Sequence, residues 1–257
     1  MTSLPTRAQV LETLLQRWDP VSQTETIPVE AALGRVLTRD QYAQATIPVA
    51  RASAMDGVAV CAVRFGQGMP DTAGWKLGVD FCRADTGDDF DDRFDAVIPI
   101  ERVQISEKGQ LTILGDMQVR PGDNIRPRGS AIRTGELVAR KHRQLRPFDL
   151  ACLAMGGIAQ VEVYRRPRVA FIPTGSELVP LGAPVGRGQT IDSNTLLAQA
   201  MLTEMGAEPL CYPIVPDQPG ALAEALEQAL QAADILLLNG GSSKGAEDYN
   251  ARLLEER

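Results

Sequence analysis

The apolar positions change their period along the chain, and the changes divide it into stretches of different character. Across residues 8–18, Val10, Leu11, Leu14, Leu15 and Trp18 recur at intervals of three and four, which predicts an amphipathic helix ended by Asp19-Pro20. A second short helix is expected at residues 29–32, stopped by Gly34, and residues 35–48 read as extended. From 61 to 145 the helical period disappears. Short apolar runs at 96–100, 111–114 and 137–139 alternate with Gly, Asp and Pro, the mark of a β-rich domain. One short helix is predicted at 147–155, halted by Gly156-Gly157. From Arg168 strands and helices take turns: strand 169–173, helix 194–205, strand 208–215, helix 220–232, strand 235–238 and a helix from Asp248 onward. Such alternation requires crossovers and predicts a parallel sheet. The 235–238 run is too short for a helix and wholly apolar, so it reads as a strand buried on both faces.

A parallel sheet gathers the carboxyl ends of its strands on one edge, where open α/β folds bind ligands. That edge would carry Thr174, Gly175, Ser176 and Glu177 after the first strand and Val215, Pro216 and Asp217 after the second. After the third comes a loop of Gly240, Gly241, Ser242, Ser243, Lys244 and Gly245 that runs to Asp248. Free N–H groups, two hydroxyls and a lysine at a helix start suit a bound anion. Taken alone, the loop reads equally as a plain turn. Each of Glu177, Asp217 and Asp248 alone reads as a helix cap; the three on one rim, beside small-residue loops expected to offer free N–H groups, suit a phosphorylated ligand with Mg²⁺, which prefers carboxylate and phosphate oxygens. Earlier, residues 53–60 read SAMDGVAV. Asp56-Gly57 before that apolar alternation is either a hairpin corner with a solvated Asp or a carboxylate held at a site by a rigid turn.

Composition narrows the classes of function. A chain of 257 residues accommodates two domains with real cores. No apolar run is long enough to cross a bilayer, and the opening MTSLPTRAQV lacks the core of a signal peptide, so a cytoplasmic protein is expected. Cys61, Cys82, Cys152 and Cys211 form no CxxC pair, and His142 is the one imidazole, which argues against a zinc site or a disulfide framework. The cysteines are expected to be reduced and buried. A net charge of -7 argues against general nucleic-acid binding, but the charge is uneven. Residues 85–95 carry six Asp against Arg93, whereas residues 120–146 carry eight Lys/Arg against Asp123 and Glu136. The basic stretch is either a solvated face or a surface for an anionic ligand or an acidic stretch of another subunit.

Seven segments, in this order, carry a resemblance: SAMDGVAV (53–60), DTGDD with DAVIPIE (85–101), GDNIRPRG (122–129), PTGSEL (173–178), QTIDSN (189–194), IVPDQP (214–219) and NGGSSKGAEDY (239–249). Together they resemble the MoeA-type molybdopterin molybdenumtransferases, the molybdenum insertases related to the E domain of gephyrin. The resemblance implies a three-layer α/β domain of the molybdopterin-binding type with a parallel sheet at 168–257, incomplete at its C-terminal end. It implies a β-rich domain at 51–145 and an elongated helical linking region made of 1–50 and 146–167. The implied activity is insertion of molybdate into adenylylated molybdopterin with release of AMP, using Mg²⁺, in a homodimer. A molybdopterin adenylyltransferase is an implied partner; nucleic acid and membrane are not.

By the same resemblance, the catalytic residues are Asp56, Glu177, Asp217 and Asp248, the last three also holding the metal. Thr86, Thr174, Gly175, Ser176, Gly240, Gly241, Ser243, Lys244 and Gly245 would bind substrate, and Arg126 and Arg128 would take molybdate or phosphate. This chain departs from the pattern at Ser130-Ala131, where an acidic pair is expected. It also departs at residues 50–52, ARA in place of a Phe-Asp-Asn-like run, and at Ser242 and Lys244, so Lys244 reads equally as a new phosphate contact or as a solvated lysine. The family continues beyond the point matching Arg257, so a longer parent chain is expected. A catalytically degenerate module that binds or senses molybdate or molybdopterin is the alternative.

Overall fold

A computed structural model of the chain describes residues 5–17 and 23–240. The chain forms two compact units, one of Met1–Thr26, Gly34–Thr38 and Glu162–Arg257, the other of Ile27–Leu33 and Arg39–Val161. In chain order the first half comprises α1 (Arg7–Arg17), β1 (Thr24–Pro28), β2 (Gln41–Tyr42), β3 (Ala52–Ser53), β4 (Gly57–Val60), β5 (Phe81–Ala84), β6 (Ala96–Pro99), β7 (Val103–Ile105), β8 (Leu111–Ile113), β9 (Ile125–Arg126) and β10 (Leu137–Ala139). The second half comprises α2 (Pro147–Met155), β11 (Gln160–Tyr164), β12 (Arg168–Pro173), β13 (Leu178–Val179), β14 (Thr190–Ile191), α3 (Asn194–Glu204), β15 (Glu208–Cys211), α4 (Pro219–Ala232) and β16 (Ile235–Asn239).

In the β-rich unit an antiparallel sheet runs β5-β4-β6, and both faces of its central strand are covered. Alternation explains how. Val58 and Val60 point into a cluster with Phe65, Phe81, Ile98 and Leu111, while Ala59 faces Ala84, Phe90, Phe94 and Val97. Gly57 lets β4 lie against β6: a Cβ there would sit 1.9 Å from the Ile98 carbonyl oxygen. The hairpin-corner reading of Asp56-Gly57 is overturned. β3 pairs with β9, and β4 pairs with β5 and β6, so the two strands flanking residues 54–56 belong to different sheets. The helix expected at 29–32 is a single 3₁₀ turn at Val29–Ala31, and Gly34 follows at φ 73°. α2 begins with Pro147, and Asp149 accepts hydrogen bonds from the Arg146 N–H (2.9 Å) and the Arg143 guanidinium (2.8 Å). Burial of Asp149 raises its pKa, but the Arg143 and Arg146 contacts win and hold it at about 2.

In the other unit the parallel sheet is present, in the order β15-β12-β16. β12 is central, and its residues from Val169 to Pro173 are all buried. Ala170 and Ile172 pack with Leu222, Leu226 and Ala229 of α4. At the amino edge Arg165 grips Asp234 with Nη2 at 2.8 and 2.9 Å, and Asp234 also accepts the Arg168 N–H at 2.7 Å, so the starts of β12 and β16 are stapled together.

Three expectations change here. β16 is half-buried rather than buried on both faces: Leu236 and Leu238 pack against the α4 cluster, whereas Leu237, on the opposite face, is 40% exposed. The strand expected at 208–215 ends at Cys211, since Pro213 and Pro216 have no N–H to donate to the sheet. The four cysteines are free thiols, as expected, but Cys152 and Cys211 are exposed and the other two half-buried. α1 forms as predicted, with Thr6 and Gln9 making a reciprocal cap, yet none of its apolar residues is buried. The predicted end of that helix at Asp19-Pro20, and the helix from Asp248, lie outside the described residues.

Candidate functional site

The sequence-predicted residues fall into two clusters, one in each unit. In the β-rich unit the Asp56 carboxylate is exposed and fixed. Its Oδ1 accepts the Thr86 backbone N–H at 2.7 Å and the Thr86 hydroxyl at 2.9 Å. The N–H bond first, and the hydroxyl second, hold the Asp56 pKa below 3.8. The carboxylate is exposed, as the first of the two sequence readings had it, and held, as the second had it, but by Thr86 of a separate loop rather than by a turn.

Three neighbouring segments build this mount. The Asp56 carbonyl accepts from Ile100 N at 2.9 Å, which ties the bend to the end of β6. Ser53 is fully buried, and its hydroxyl donates to the Met55 carbonyl at 2.5 Å, fixing the residues just before Asp56. Ser53 N donates to Asp88 O, and Gly87 N donates to Ser53 O, both at 2.9 Å, which lays the 85–88 turn alongside β3. On the other side of β3, Arg126 of β9 stands opposite Ala52. Asn124, at φ 55°, donates its side-chain amide to Val97 O at 2.8 Å and its carbonyl accepts from Ala54 N at 2.8 Å. Asn124 therefore anchors the loop that carries Arg126 and Arg128, both exposed and without an ion pair among the described residues. Sequence reasoning passed over Ser53 and left Asn124 without a role; a buried serine and a left-handed asparagine have no periodic signature.

The second cluster occupies the carboxyl edge of the parallel sheet. Thr174, 5% exposed, donates its N–H (2.8 Å) and its hydroxyl (3.2 Å) to Asn239 O, linking the ends of β12 and β16. Gly175 N donates to Val215 O at 3.2 Å. Ser176 N donates to Asp217 Oδ2 at 3.1 Å, and Asp217 N donates to Ser176 Oγ at 3.3 Å, a reciprocal latch between the loops after β12 and β15. Glu177 folds back over Gly175, whose φ is 152°; a Cβ on Gly175 would lie 2.7 Å from a Glu177 carboxylate oxygen. Gly240, at φ 129°, runs so close to Thr174 that a Cβ would meet its hydroxyl oxygen at 2.3 Å and its carbonyl oxygen at 2.6 Å.

Two of the three loops that the parallel topology was expected to gather thus meet at Ser176 and Asp217, and the end of β16 joins them at Asn239 and Gly240; the rest of the third loop lies outside the described residues. One part of the expectation is corrected. The N–H groups of Thr174, Gly175 and Ser176 are not free for an anion, because Asn239, Val215 and Asp217 already accept them. What the two latched loops offer a ligand is the Ser176 hydroxyl hydrogen and the open Oδ1 of Asp217. Asn239 emerges as a joint of the rim, and Asn194 Nδ2 reaches its Oδ1 at 3.4 Å; an Asn directly before a glycine pair was the available signal. Gly241, Ser243, Lys244, Gly245 and Asp248 lie outside the described residues. Among the described residues no group of three or more His, Cys, Asp or Glu side chains could hold a metal ion, and no helix is long and apolar enough to cross a membrane.

The chain is similar to known proteins along nearly all of its length. Residues 6–157 match the family described as MoeA N-terminal region (domain I and II), and residues 170–256 match one described as probable molybdopterin binding domain. The chain is 31% identical over 273 residues to a molybdopterin molybdenumtransferase of Nostoc sp., with 99% of this chain and 61% of that protein covered. It is 30% identical to the protein of the same name from Haemophilus influenzae, with 96% and 64% covered. A solved structure of a molybdopterin biosynthesis MoeA protein from Pyrococcus horikoshii OT3 superposes with a TM-score of 0.75 at 30% identity, covering 91% of this chain and 65% of that one. The chain therefore spans less than two thirds of the length of these relatives.

Proposed function

Because the chain belongs to the MoeA family, we propose that it carries the pterin-nucleotide site of a molybdenum insertase. In that reaction molybdate enters adenylylated molybdopterin, water is added across the phosphoanhydride linking the two phosphates, and AMP leaves. The observation that carries the reading is the reciprocal Ser176–Asp217 latch between two loops on a sheet edge that the end of β16 joins through Asn239. The latch presets one carboxylate and one hydroxyl before a ligand arrives, so little side-chain freedom remains to be lost on binding.

The roles follow from protonation and geometry. Ser176 would donate its hydroxyl to a phosphate oxygen while Asp217 N keeps the hydroxyl oriented. Asp56, held below the ordinary carboxylate range, stays ionised at neutral pH and serves as an acceptor or cation ligand rather than as a proton carrier. Arg126 and Arg128 would meet the anionic substrate with guanidinium forks suited to oxyanions. The open Oδ1 of Asp217 and the exposed Glu177 carboxylate fit a hard cation. These two, with Asp248, would hold Mg²⁺, which would supply neutralisation of charge on the phosphoanhydride. In this reading the protein works in the cytoplasm as a homodimer and receives its substrate from a molybdopterin adenylyltransferase.

The test is AMP release, followed chromatographically, from adenylylated molybdopterin with molybdate and Mg²⁺. Asp56→Ala and Asp217→Ala should each lower the rate by about 100-fold; rates equal to the unsubstituted protein would overturn the assignment. A second reading, a module that binds or senses the pterin without turning it over, is favoured by Ser130 and Ala131, both exposed where the family resemblance leads one to expect an acidic pair. Installing Ser130→Glu with Ala131→Asp separates the two, since a gain in AMP release speaks for a degenerate enzyme and no gain for the sensor.

A further inference from the structure

Arg51 interrupts the run before SAMDG with a cation, and its surroundings give that cation a function. Its Nη2 donates to Asp91 O at 3.0 Å and lies 3.2 Å from Asp92 Oδ1. Its guanidinium carbon stands 5.1 Å from the centroid of the Phe90 ring. The two ends of the arrangement differ in exposure: the Arg51 side chain is 23% exposed, whereas that of Asp92 is fully exposed. The ion pair with Asp92 is therefore screened and weak, and the Asp91 carbonyl and the Phe90 ring carry the contact. Phe90 in turn is buried with Ala59, Ala84, Phe94 and Val97, so Arg51 is clasped to a ring that is part of the core. Arg51 Nε is buried without a hydrogen-bond partner, so the guanidinium is held here at a desolvation cost.

The loop that Arg51 grips is the one that supplies Thr86. From 85 to 92 it carries five Asp, Asp85, Asp88, Asp89, Asp91 and Asp92, which repel one another. Two ties hold it against the segment 51–56. The inner tie is Ser53, bonded to Gly87 N and to Asp88 O; the outer tie is Arg51, bonded to Asp91 O. Beyond the inner tie the loop delivers Thr86 to Asp56 Oδ1. With the outer tie cut, the acidic loop is held to segment 51–56 by Ser53 and by the Thr86–Asp56 bonds themselves, with Phe90 its anchor in the core.

We propose that Arg51 is a positioning residue that sets Thr86 against the Asp56 carboxylate by clasping the 86–92 loop to the start of β3. The functional weight of this arrangement rests on the reading of Asp56 as a site residue. A cation directly before β3 thus does at long range what a neighbouring side chain does elsewhere: it fixes the partner of the site carboxylate. Arginine suits the task because its planar fork can stack on Phe90 and donate to Asp91 O at once, which a lysine ammonium cannot do.

The experiment is amide hydrogen exchange followed by NMR on the full chain, with Arg51→Met, Arg51→Lys and Asp92→Asn. Arg51→Met should speed exchange at Thr86 and Gly87 by about tenfold while Val58, Ala59 and Val60 of β4 keep their rates. Arg51→Lys should give an intermediate acceleration, and Asp92→Asn should leave Thr86 unchanged. Unchanged exchange at Thr86 in Arg51→Met overturns the clasp. Equal acceleration in β4 and at Thr86 also overturns it, because Arg51 would then serve general stability. If Arg51→Met does not fold, Arg51→Lys reads the same selectivity. Failure of the Asp56 reading is seen separately, as full AMP release by Asp56→Ala, and leaves the exchange result standing.

Discussion

Gly57→Ala puts the mounting of Asp56 under the most direct strain. The new Cβ would lie 1.9 Å from the Ile98 carbonyl oxygen, 2.9 Å from its carbonyl carbon and 3.2 Å from Pro99 Cα. All three are backbone atoms, so no rotamer change relieves the clash. Ordinary carbon contact begins at 3.4 Å, so β6 must retreat by about 1.5 Å from a partner that normally lies about 4.8 Å away. Overpacking a filled interior costs about 1–3 kcal/mol, and here the upper end applies. The retreat also stretches the bond from Ile100 N to Asp56 O, now 2.9 Å, for about 1 kcal/mol more. The expected loss is about 3–4 kcal/mol, confined to the β-rich unit. Trp75 packs against the cluster on the Val58 face and reports on that unit. A urea titration of its fluorescence in a Trp18→Phe background isolates the transition. A loss below about 1 kcal/mol, the range of ordinary surface substitutions, would refute the account of why glycine follows Asp56.

Thr86→Val deletes the hydroxyl donor and keeps the N–H. Carboxyl NMR titration should then show the Asp56 pKa moving up toward 3.8 without reaching it. Because the folded-state pKa of Asp56 is lowered, its stabilising effect is complete above the unfolded value and is lost as pH falls through the folded one; the valine variant should therefore lose part of that effect at neutral and alkaline pH, and its difference from the unsubstituted protein should shrink as pH falls through the folded value. Asp149→Asn removes the carboxylate that caps α2 and binds Arg143, and should cost about 2 kcal/mol at pH 7. With a folded pKa of about 2 against 3.8, the difference from the unsubstituted protein should be constant above pH 4 or so and vanish as pH falls to about 2, as thermal melts across that range will show.

Much of the α/β unit was legible because its signals are local and repeated. Alternating strand and helix periods predicted the parallel sheet, and that topology alone gathered Thr174, Ser176, Asp217 and Gly240 on one edge. Period could not tell which backbone donors on that edge were already occupied, because the bonds from Gly175 to Val215 and from Ser176 to Asp217 depend on residues some 40 positions apart. In the β-rich unit strand positions were readable and pairings were not. Asp-Gly before an apolar run predicts a hairpin from local preference, yet β3 and β4 enter different sheets, and Gly57 is required by the approach of Ile98 rather than by a turn. The half-buried β16 and the uncovered apolar side of α1 show the same limit, since an apolar run reveals that a face can be buried but not what covers it.

The central claim is that the latched carboxyl edge binds the pterin nucleotide, and calorimetric titration of the protein with adenylylated molybdopterin in Mg²⁺ tests it most directly. Asp217→Ala removes the acceptor for Ser176 N and the open Oδ1 while keeping the backbone N–H that orients the Ser176 hydroxyl, and Asp217 itself lies exposed and outside the core. The account predicts saturable binding by the unsubstituted protein and about a tenfold or greater weakening by Asp217→Ala at unchanged melting temperature. Equal affinity in the two proteins, with both folded, would contradict it.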